Sequence, residues 1–317
     1  MKRSGMRRIA WMLGAIVVSA VLHAGFAQAD YPTRNIQLIV PFAAGGGTDA
    51  VARTFADIAE EQLGVAVTVI NRTGGSGAVG MTEGANASAT GYTVTMITRE
   101  IVSLPQLGLS PVSWESFQPV ALINQDPALI LVRQDSPYES VADLLNDARE
   151  RPGRITYAST AQPNLYVLAV EITQDVEFNH IPYDGAAPSL TALLGGHVDF
   201  TMMNPGEAIS QIRAEQVRPL AVLAQERVEG LPDVPTMIEL GYEVTSGTWR
   251  GLAVPPGTPE AVVQRLEEVA AAVVQDPRFV EVMDRMTLGI RYLDAEAFQA
   301  FMEVDAELVG LIVDALE

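Results

Sequence analysis

The sequence predicts an α/β fold of two lobes, with mostly parallel sheets flanked by helices and a ligand cleft between the lobes. Short apolar runs alternate with segments of helical periodicity, which is typical of strands joined by crossover helices. Loops of small residues join several predicted strands to the helices that follow them. The chain of 317 residues is also long enough for two domains.

The amino terminus has the three parts of a secretory signal peptide. A basic start, Lys2–Arg8, precedes the apolar run Ile9–Leu22 and the small-residue site Ala27-Gln28-Ala29. The apolar run is shorter than the roughly 20 residues that span a bilayer, which disfavours a membrane anchor. We therefore expect cleavage before Asp30 and a periplasmic mature protein.

Composition excludes several classes of function. The formal net charge is −19, which argues against nucleic-acid binding because nucleic acids attract basic surfaces. The chain has no cysteine, so disulfides and thiolate metal sites are excluded. We expect no cofactor and no bound metal.

The predicted strands are short and mostly apolar at both odd and even positions. This pattern predicts burial on both faces of the sheets. The strands are predicted at residues 36–40, 65–70, 92–98, 120–123, 128–133, 155–159, 178–183, 198–203, 220–224, 248–254 and 290–293.

Helix boundaries and crossings suggest how the lobes are divided. Ser140 is placed to cap a helix that ends at Pro152-Gly153, and the helix 187–194 ends at two glycines. The chain is predicted to be mainly helical from Thr258 onward. We expect residues 30–130 and 250–317 to form lobe 1, and residues 131–249 to form lobe 2.

The segment Pro41–Asp49 is the strongest local feature, because it ends a strand and opens a helix. Its three glycines allow the backbone N–H groups to point outward, and Thr48 is placed to cap the helix. A helix start offers unpaired N–H donors and partial positive charge, which suit an anion. No lysine follows the glycines, so a phosphate loop is excluded. A tight turn without a ligand is the alternative.

A second glycine loop, Asn71–Gly80, contains a G-x-G-x-x-G match from Gly75 to Gly80. A dinucleotide site with Glu100 as a distant ribose partner would fit the motif alone. The match lies in the second strand–helix unit of an exported protein, so a second cleft-facing helix start or plain packing is the better interpretation.

Enzyme signatures are weak. Gly74–Ala78 lacks the final glycine of a nucleophile elbow. The two histidines after the predicted signal peptide, His180 and His197, have no metal-ligand spacing and are interpreted as structural.

Two loops of the second lobe are candidates to face the cleft. Ser159–Asn164 and Tyr183–Pro188 each end a strand and open a helix with small or polar residues. Hydroxyl groups and backbone N–H groups at such positions suit carboxylates.

Taken together, these segments resemble the substrate-binding proteins of tripartite tricarboxylate transporters, the Bug or TctC family. The resemblance covers nearly all of the chain after residue 30. Its motifs are Tyr31-Pro32, 36–49, Asn71-Arg72 with its glycines, Gly91-Tyr92-Thr93, Pro152-Gly153, 180–188, 193–199, 231–236 and Trp249-Arg250-Gly251.

The resemblance implies a periplasmic-binding-protein fold of type II-like architecture that closes around one ligand. The first glycine loop and the Tyr183–Ala187 loop are implied to hold a carboxylate, partly through water. Thr98-Arg99-Glu100 departs from the small polar residues usual in relatives, so Arg99 either pairs with Glu100 or reaches a second ligand carboxylate. The implied and candidate ligand-binding residues are Phe42, Ala44, Gly45, Gly46, Gly47, Thr48, Asp49, Thr98, Arg99, Ser159, Thr160, Asn164, Tyr183, Asp184, Gly185, Ala186 and Asn204.

The expected function is therefore non-catalytic capture of a small organic carboxylate, a dicarboxylate, tricarboxylate or related acid, and delivery to integral membrane transporter subunits. A monomer is expected. The alternatives are a ligand sensor for a membrane histidine kinase and a periplasmic hydrolase. The sequence does not identify the acid.

Overall fold

The computed structural model describes residues 31–159 and 164–314, so the predicted signal peptide lies outside the described residues. The described strands closely follow the predicted apolar runs. They are β1 (Ile36–Val40), β2 (Val67–Asn71), β3 (Thr93–Thr98), β4 (Gln118–Pro127), β5 (Leu129–Arg133), β6 (Thr156–Ser159), β7 (Asn179–Pro182), β8 (Phe200–Met203), β9 (Val217–Val222), β10 (Gly247–Val254) and β11 (Ile290–Leu293).

The helices connect these strands and cover the sheets. Short 3₁₀ turns at Gly75–Gly77 and Trp114–Ser116 complete the regular elements. The helices are α1 (Gly47–Leu63), α2 (Ala78–Ala85), α3 (Glu100–Gln106), α4 (Val141–Glu150), α5 (Leu165–Gln174), α6 (Ala186–Leu194), α7 (Pro205–Arg213), α8 (Glu260–Val273), α9 (Pro277–Met286) and α10 (Ala295–Asp314).

The strands form two sheets, which define the two lobes of the fold. In lobe 1 the strand order is β11-β4-β10-β3-β1-β2, and in lobe 2 it is β7-β6-β8-β5-β9. The α/β fold class is therefore as predicted.

The sheets are mixed rather than mostly parallel, which corrects one part of the prediction. In lobe 1, β1 runs parallel to β2 and β3, while β10 is antiparallel to both β3 and β4. In lobe 2, β6 is parallel to β7 and β8, while β5 is antiparallel to β8 and β9. The reason is that β5 and β10 enter their sheets from the other lobe, so neither follows a crossover helix within its own sheet.

The chain passes between the two sheets twice. It leaves lobe 1 between Pro127 of β4 and Leu129 of β5, and it returns between Val222 of β9 and Gly247 of β10. The return crossing leads into β10, which carries two residues of the candidate site, Thr248 and Arg250.

Strand β5 shows that the lobe 2 sheet is covered on both faces. Leu129 and Leu131 join the core cluster on one face, whereas Ile130 and Val132 join the cluster on the other face. Successive side chains of a strand point to opposite faces, so both faces of β5 are covered.

Burial on both faces is not general, and the sequence prediction is wrong for edge strands. Asn179 and Pro182 of β7 are exposed, as are Ile290 and Arg291 of β11. Both strands lie at the edge of a sheet, where one side lacks a neighbouring strand.

The helix cap predicted at Ser140 is present. Its side chain accepts a hydrogen bond from the backbone N–H of Asp143, and the Asp143 carboxylate accepts from the backbone N–H of Ser140 at 2.9 Å. This reciprocal capping fixes the start of α4. None of the described helices has the length and apolar character needed to cross a membrane.

Candidate functional site

A cavity of about 60 Å³ is lined by residues of both lobes, and we call it the interlobe cavity. Its lining residues come mainly from strand ends and from the first turns of the following helices. They are Phe42, Gly46, Gly47, Thr48, Thr98, Glu100, Thr248 and Arg250 in lobe 1, and Ser159, Asn164, Tyr166, Ala186, Ser189, Thr201, Met202, Met203, Asn204 and Glu207 in lobe 2.

The first glycine loop is held in shape by the buried carboxylate of Asp49. The backbone N–H of Gly45 donates to Asp49 at 3.0 Å, and the amide of Asn71 donates to the same carboxylate at 2.9 Å. Burial disfavours the charged form of Asp49, but hydrogen bonds from Arg53, Gly45 and Asn71 hold its pKa below the usual value. Gly45 has a φ of 87°, which favours glycine. Asp49 therefore shapes the loop and does not line the cavity.

The two predicted carboxylate loops meet across the cleft. The backbone N–H of Ala43 in lobe 1 donates to the carbonyl of Asp184 in lobe 2 at 3.2 Å. Gly185 has a φ of 149°, and a Cβ there would lie 3.3 Å from the Ala43 side chain. The close approach of the loops therefore depends on a residue without a side chain.

Arg250 lies at the centre of a buried polar network. Its side chain is 1% exposed, and its Nη1 atom lies 2.5 Å from the carboxylate of Asp126. The Nε atom donates to the Thr48 hydroxyl at 2.9 Å, and Nη1 also donates to the Asn124 amide oxygen. These contacts anchor the guanidinium within lobe 1.

The remaining donors of Arg250 cross to lobe 2. Nη2 lies 3.1 Å from the amide oxygen of Asn204 and 3.4 Å from the carboxylate of Glu207. Glu207 also accepts hydrogen bonds from the backbone N–H groups of Asn204 and Gly47. Glu207 is therefore tied to both lobes.

Two carboxylates give the cavity an acidic character. Burial raises the pKa of Glu207, although the nearby Arg250 charge opposes that shift. The carboxylate of Glu100 accepts from the Thr98 hydroxyl at 2.6 Å. Burial, together with the charges of Glu100 and Glu207, raises the pKa of the Tyr166 phenol, which therefore stays protonated at neutral pH.

Five of the described helices begin at the cavity, and their N-termini differ in what caps them. The side chain of Asn164 caps α5, and the carboxylate of Glu207 accepts from the N-cap residue of α7. Glu207 also accepts from Gly47 at the start of α1. Helix α6 begins at Gly185, which provides no side-chain cap. Helix α3 also begins at the cavity without a side-chain cap, but its first residue, Glu100, places a carboxylate in the lining. Of these five described helix starts, α6 alone has neither a capping side chain nor a cavity-lining carboxylate.

Over half of the candidate residues predicted from sequence lie at the interlobe cavity. Their ligand-binding role stays a prediction. Those lining the cavity are Phe42, Gly46, Gly47, Thr48, Thr98, Ser159, Asn164, Ala186 and Asn204.

Other candidates lie beside the cavity without lining it. Thr160 lies outside the described residues. Ala44, Gly45 and Asp49 belong to the first glycine loop, and Tyr183, Asp184 and Gly185 to the facing loop of lobe 2.

Arg99 does not pair with Glu100 in this structure, and its contact with a ligand carboxylate stays a prediction. Its guanidinium pairs with Asp305 of α10 at 2.8 Å and donates to the carbonyl of Gly247 at 3.1 Å. Arg99 lines a separate groove beside α10 rather than the cavity. The sequence suggested Glu100 as the partner because it is adjacent to Arg99. The actual partner, Asp305, lies 206 positions away, where local sequence gives no indication of contact.

Sequence reasoning missed several residues that line the cavity. Glu207 was recognisable locally as the third residue of a helix that starts after Asn204, although that pattern predicts a cap rather than a site. Arg250 was noted as part of a family motif without a role. The others are Glu100, Tyr166, Ser189, Thr201, Met202, Met203 and Thr248.

Packing accounts for the second glycine loop. A Cβ at Gly80 would lie 2.6 Å from the carbonyl oxygen of Arg72 and 2.9 Å from Cα of Pro41. Gly80 therefore allows α2 to pack against the end of β1, as the packing interpretation of this loop predicted.

Ser159 and His180 form a contact that the sequence did not reveal. The Ser159 hydroxyl lies 2.9 Å from Nε2 of His180. The other ring nitrogen, Nδ1, is buried and has no hydrogen-bond partner within residues 31–159 and 164–314. Burial lowers the pKa of His180. The pair thus lacks the third group that orients the base in a catalytic triad.

Comparisons with known proteins agree on one family. Residues 51–317 match the model of the tripartite tricarboxylate transporter family receptor. BugT of Bordetella pertussis is 31% identical over 284 residues, which is 87% of each chain. A UPF0065 protein of the same organism is 34% identical over 286 residues, covering 88% of this chain and 86% of that one.

Solved structures show the same fold. The periplasmic binding protein BugD is 31% identical, with a TM-score of 0.85 over 90% of this chain and 98% of that chain. An R. palustris protein solved with adipate is 30% identical, with a TM-score of 0.84 over 90% of this chain and 99% of that chain. These relatives are solute-binding receptors rather than enzymes.

Proposed function

The chain belongs to the tripartite tricarboxylate transporter receptor family, and we propose that it captures a small organic carboxylate and delivers it to a membrane transporter. The observation that supports this most is the interlobe cavity, which both lobes line and at which five of the described helices begin. Helix N-termini offer N–H donors and partial positive charge to an anion. The relative solved with adipate supports a carboxylate for this chain.

We propose that the two lobes move as two bodies, divided close to the predicted residues 130 and 250, at the starts of β5 (Leu129) and β10 (Gly247). The ligand contacts residues of both, among them Thr48 in lobe 1 and Ser159 and Ala186 in lobe 2. A ligand that bridges the lobes binds the closed form more tightly than the open form, so it shifts the population toward closure.

The partner and location follow from the family and from the predicted signal peptide. We propose export to the periplasm, cleavage before Asp30 and recognition of the closed form by the integral membrane subunits of the transporter. A monomeric receptor suits this role because each closed cleft presents one ligand.

A thermal-shift screen tests the carboxylate. The purified protein is unfolded and refolded to remove bound solute, and is then heated with organic acids and with neutral and cationic controls. A ligand at 100 times its Kd adds about 2.7 kcal/mol to the free energy of unfolding. For a chain of this size, that is a rise of several degrees in Tm.

Selective stabilisation by one class of acid supports the proposal. The proposal is contradicted if no carboxylate raises the Tm while a neutral solute, or a cation without a carboxylate, does raise it. Small-angle scattering with the stabilising acid checks closure, since the radius of gyration should fall when the ligand is added.

A further inference from the structure

The interlobe cavity contains more acid than base. Two carboxylates, Glu100 and Glu207, line it together with one guanidinium, Arg250. Asp126 lies directly behind Arg250, with a side chain that is 1% exposed. Asp126 and Glu207 share the single charge of Arg250, with Glu207 at 3.4 Å. Glu100 forms no ion pair among the described residues, so the lining keeps an excess of negative charge.

Arg250 has no hydrogen-bond donor left for a ligand carboxylate. A guanidinium has five N–H donors. In this structure they meet five acceptors of the protein itself, on Thr48, Asn124, Asp126, Asn204 and Glu207. Among the described residues, Arg250 is the one cationic side chain that lines the cavity, and its N–H groups bind protein acceptors.

The N-terminus of α1 is also used by the protein. Glu207 accepts from the backbone N–H of Gly47, so a lobe 2 carboxylate occupies part of the anion position of the first glycine loop. Helix α6 keeps an uncapped N-terminus, and its first residue, Ala186, lines the cavity. Of the described helix starts, α6 therefore keeps an anion position, in a cavity that Glu100 and Glu207 also line.

From this arrangement we propose that the ligand is a small zwitterion, whose protonated nitrogen faces Glu100 and Glu207 while its carboxylate faces the N-terminus of α6. The inference rests on the proposed function and narrows its substrate class. A ligand with two carboxylates and no cation would bring one of them against Glu100 or Glu207.

The size and the protonation of the site agree with this ligand. A cavity of about 60 Å³ has room for roughly four to six water-sized groups, which suits a short amino acid. Burial raises the pKa of Glu207, and the Arg250 charge opposes that shift without cancelling it. A bound ammonium would oppose it further and favour the carboxylate form.

Matched ligand pairs test the proposal on the wild-type protein. The refolded protein is titrated by calorimetry with alanine and propionate, 4-aminobutyrate and butyrate, and aspartate and succinate, with propylamine as the amine alone. In any pair of which at least one member binds, we expect the aminated acid to bind at least tenfold more tightly than its partner without the amine. Propylamine should bind weakly or not at all.

A pair of variants tests the role of the carboxylate. Glu100→Gln keeps the size of the side chain and removes its charge, and we expect it to reduce the preference for the aminated acid at least fivefold. Glu243→Gln removes one charge at an exposed position away from the cavity, and should leave that preference unchanged.

The outcomes separate this inference from the proposed function. If succinate or butyrate binds as tightly as its aminated counterpart, the carboxylate receptor stands and the zwitterion is wrong. An equal preference in wild type and Glu100→Gln also overturns the assignment of Glu100. If propylamine binds and no acid does, both proposals fail.

Discussion

The two faces of strand β10 use similar chemistry for different purposes. Trp249 and Arg250 are neighbours on this strand, so their side chains point to opposite faces. On one face, the Trp249 ring N–H and Arg99 both donate to Asp305, with distances of 2.8 Å, and all three residues belong to lobe 1. On the other face, Arg250 joins groups of both lobes.

The difference teaches that the position of the partners decides what an arginine–carboxylate pair can control. The Asp305 cluster ties α10 to the lobe 1 sheet and does not change its partners when the lobes separate. The Arg250 network loses its bonds to Asn204 and Glu207 if lobe 2 moves away. The first is a structural contact, while the second couples closure to the charge of the cavity.

Replacement of Arg250 should have the largest effect on stability. Arg250→Met leaves Asp126 without its partner in a buried site, and such losses cost about 3–5 kcal/mol of unfolding free energy. Denaturant unfolding measures the change. Arg154→Met at an exposed position is the control. Equal losses in the two variants would show that the network contributes nothing to stability.

Asp305→Asn should have the next largest effect and should separate the two faces. The substitution weakens charge-assisted hydrogen bonds from Arg99 and Trp249, and we expect a loss of about 1.5–3 kcal/mol in unfolding free energy. Ligand affinity should be unchanged, since the cluster lies within lobe 1. A large change in ligand Kd would show that this face also controls the cleft.

Glu207 should give part of the pH dependence of stability. Because burial raises its pKa, the folded protein binds this proton more tightly than the unfolded chain does. Its contribution to the unfolding free energy therefore falls as pH rises from the usual carboxyl pKa of about 4.3 through the raised value, by at most about 1.4 kcal/mol per pH unit.

Comparison of wild type with Glu207→Gln isolates that contribution. Denaturant unfolding from pH 4 upward should show a downward slope in wild type relative to the variant. Parallel profiles would mean that the pKa of Glu207 is the same in the folded and unfolded states.

An exposed pair should have the smallest effect. Arg72 and Glu83 are 2.9 Å apart, and both side chains are 46% exposed. A double-mutant cycle to alanine should give a coupling energy of about 0.2–1 kcal/mol, lower at high salt. A coupling energy as large as the stability loss in Arg250→Met would contradict the expectation that burial sets the strength of these ion pairs.

Local sequence patterns were sufficient for the strands, several helix starts and the loops that face the cleft. The cap predicted at Thr48 was wrong, because α1 has Gly46 as its cap residue and the Thr48 hydroxyl accepts from Arg250 instead. Ile36–Val40 and Ala128–Arg133 were recognisable because a buried strand needs a short apolar run, and Ser140 because a helix start needs a cap. The glycine loops were recognisable because tight strand-to-helix turns need glycine. The mixed parallel and antiparallel character of the sheets was not recognisable, since strand direction depends on the path of the chain between the lobes.

Only the tertiary structure shows which groups of the Arg250 network come together at the cavity. Arg250 lies 202 positions from Thr48 and 43 positions from Glu207, and no local periodicity relates residues at such distances. The sequence by itself determined the α/β fold class and the glycine loops, and it predicted a signal peptide, because those features depend on neighbours along the chain. Which loop keeps its donors for a ligand, and which acid faces the cavity, depends on the packing of one lobe against the other.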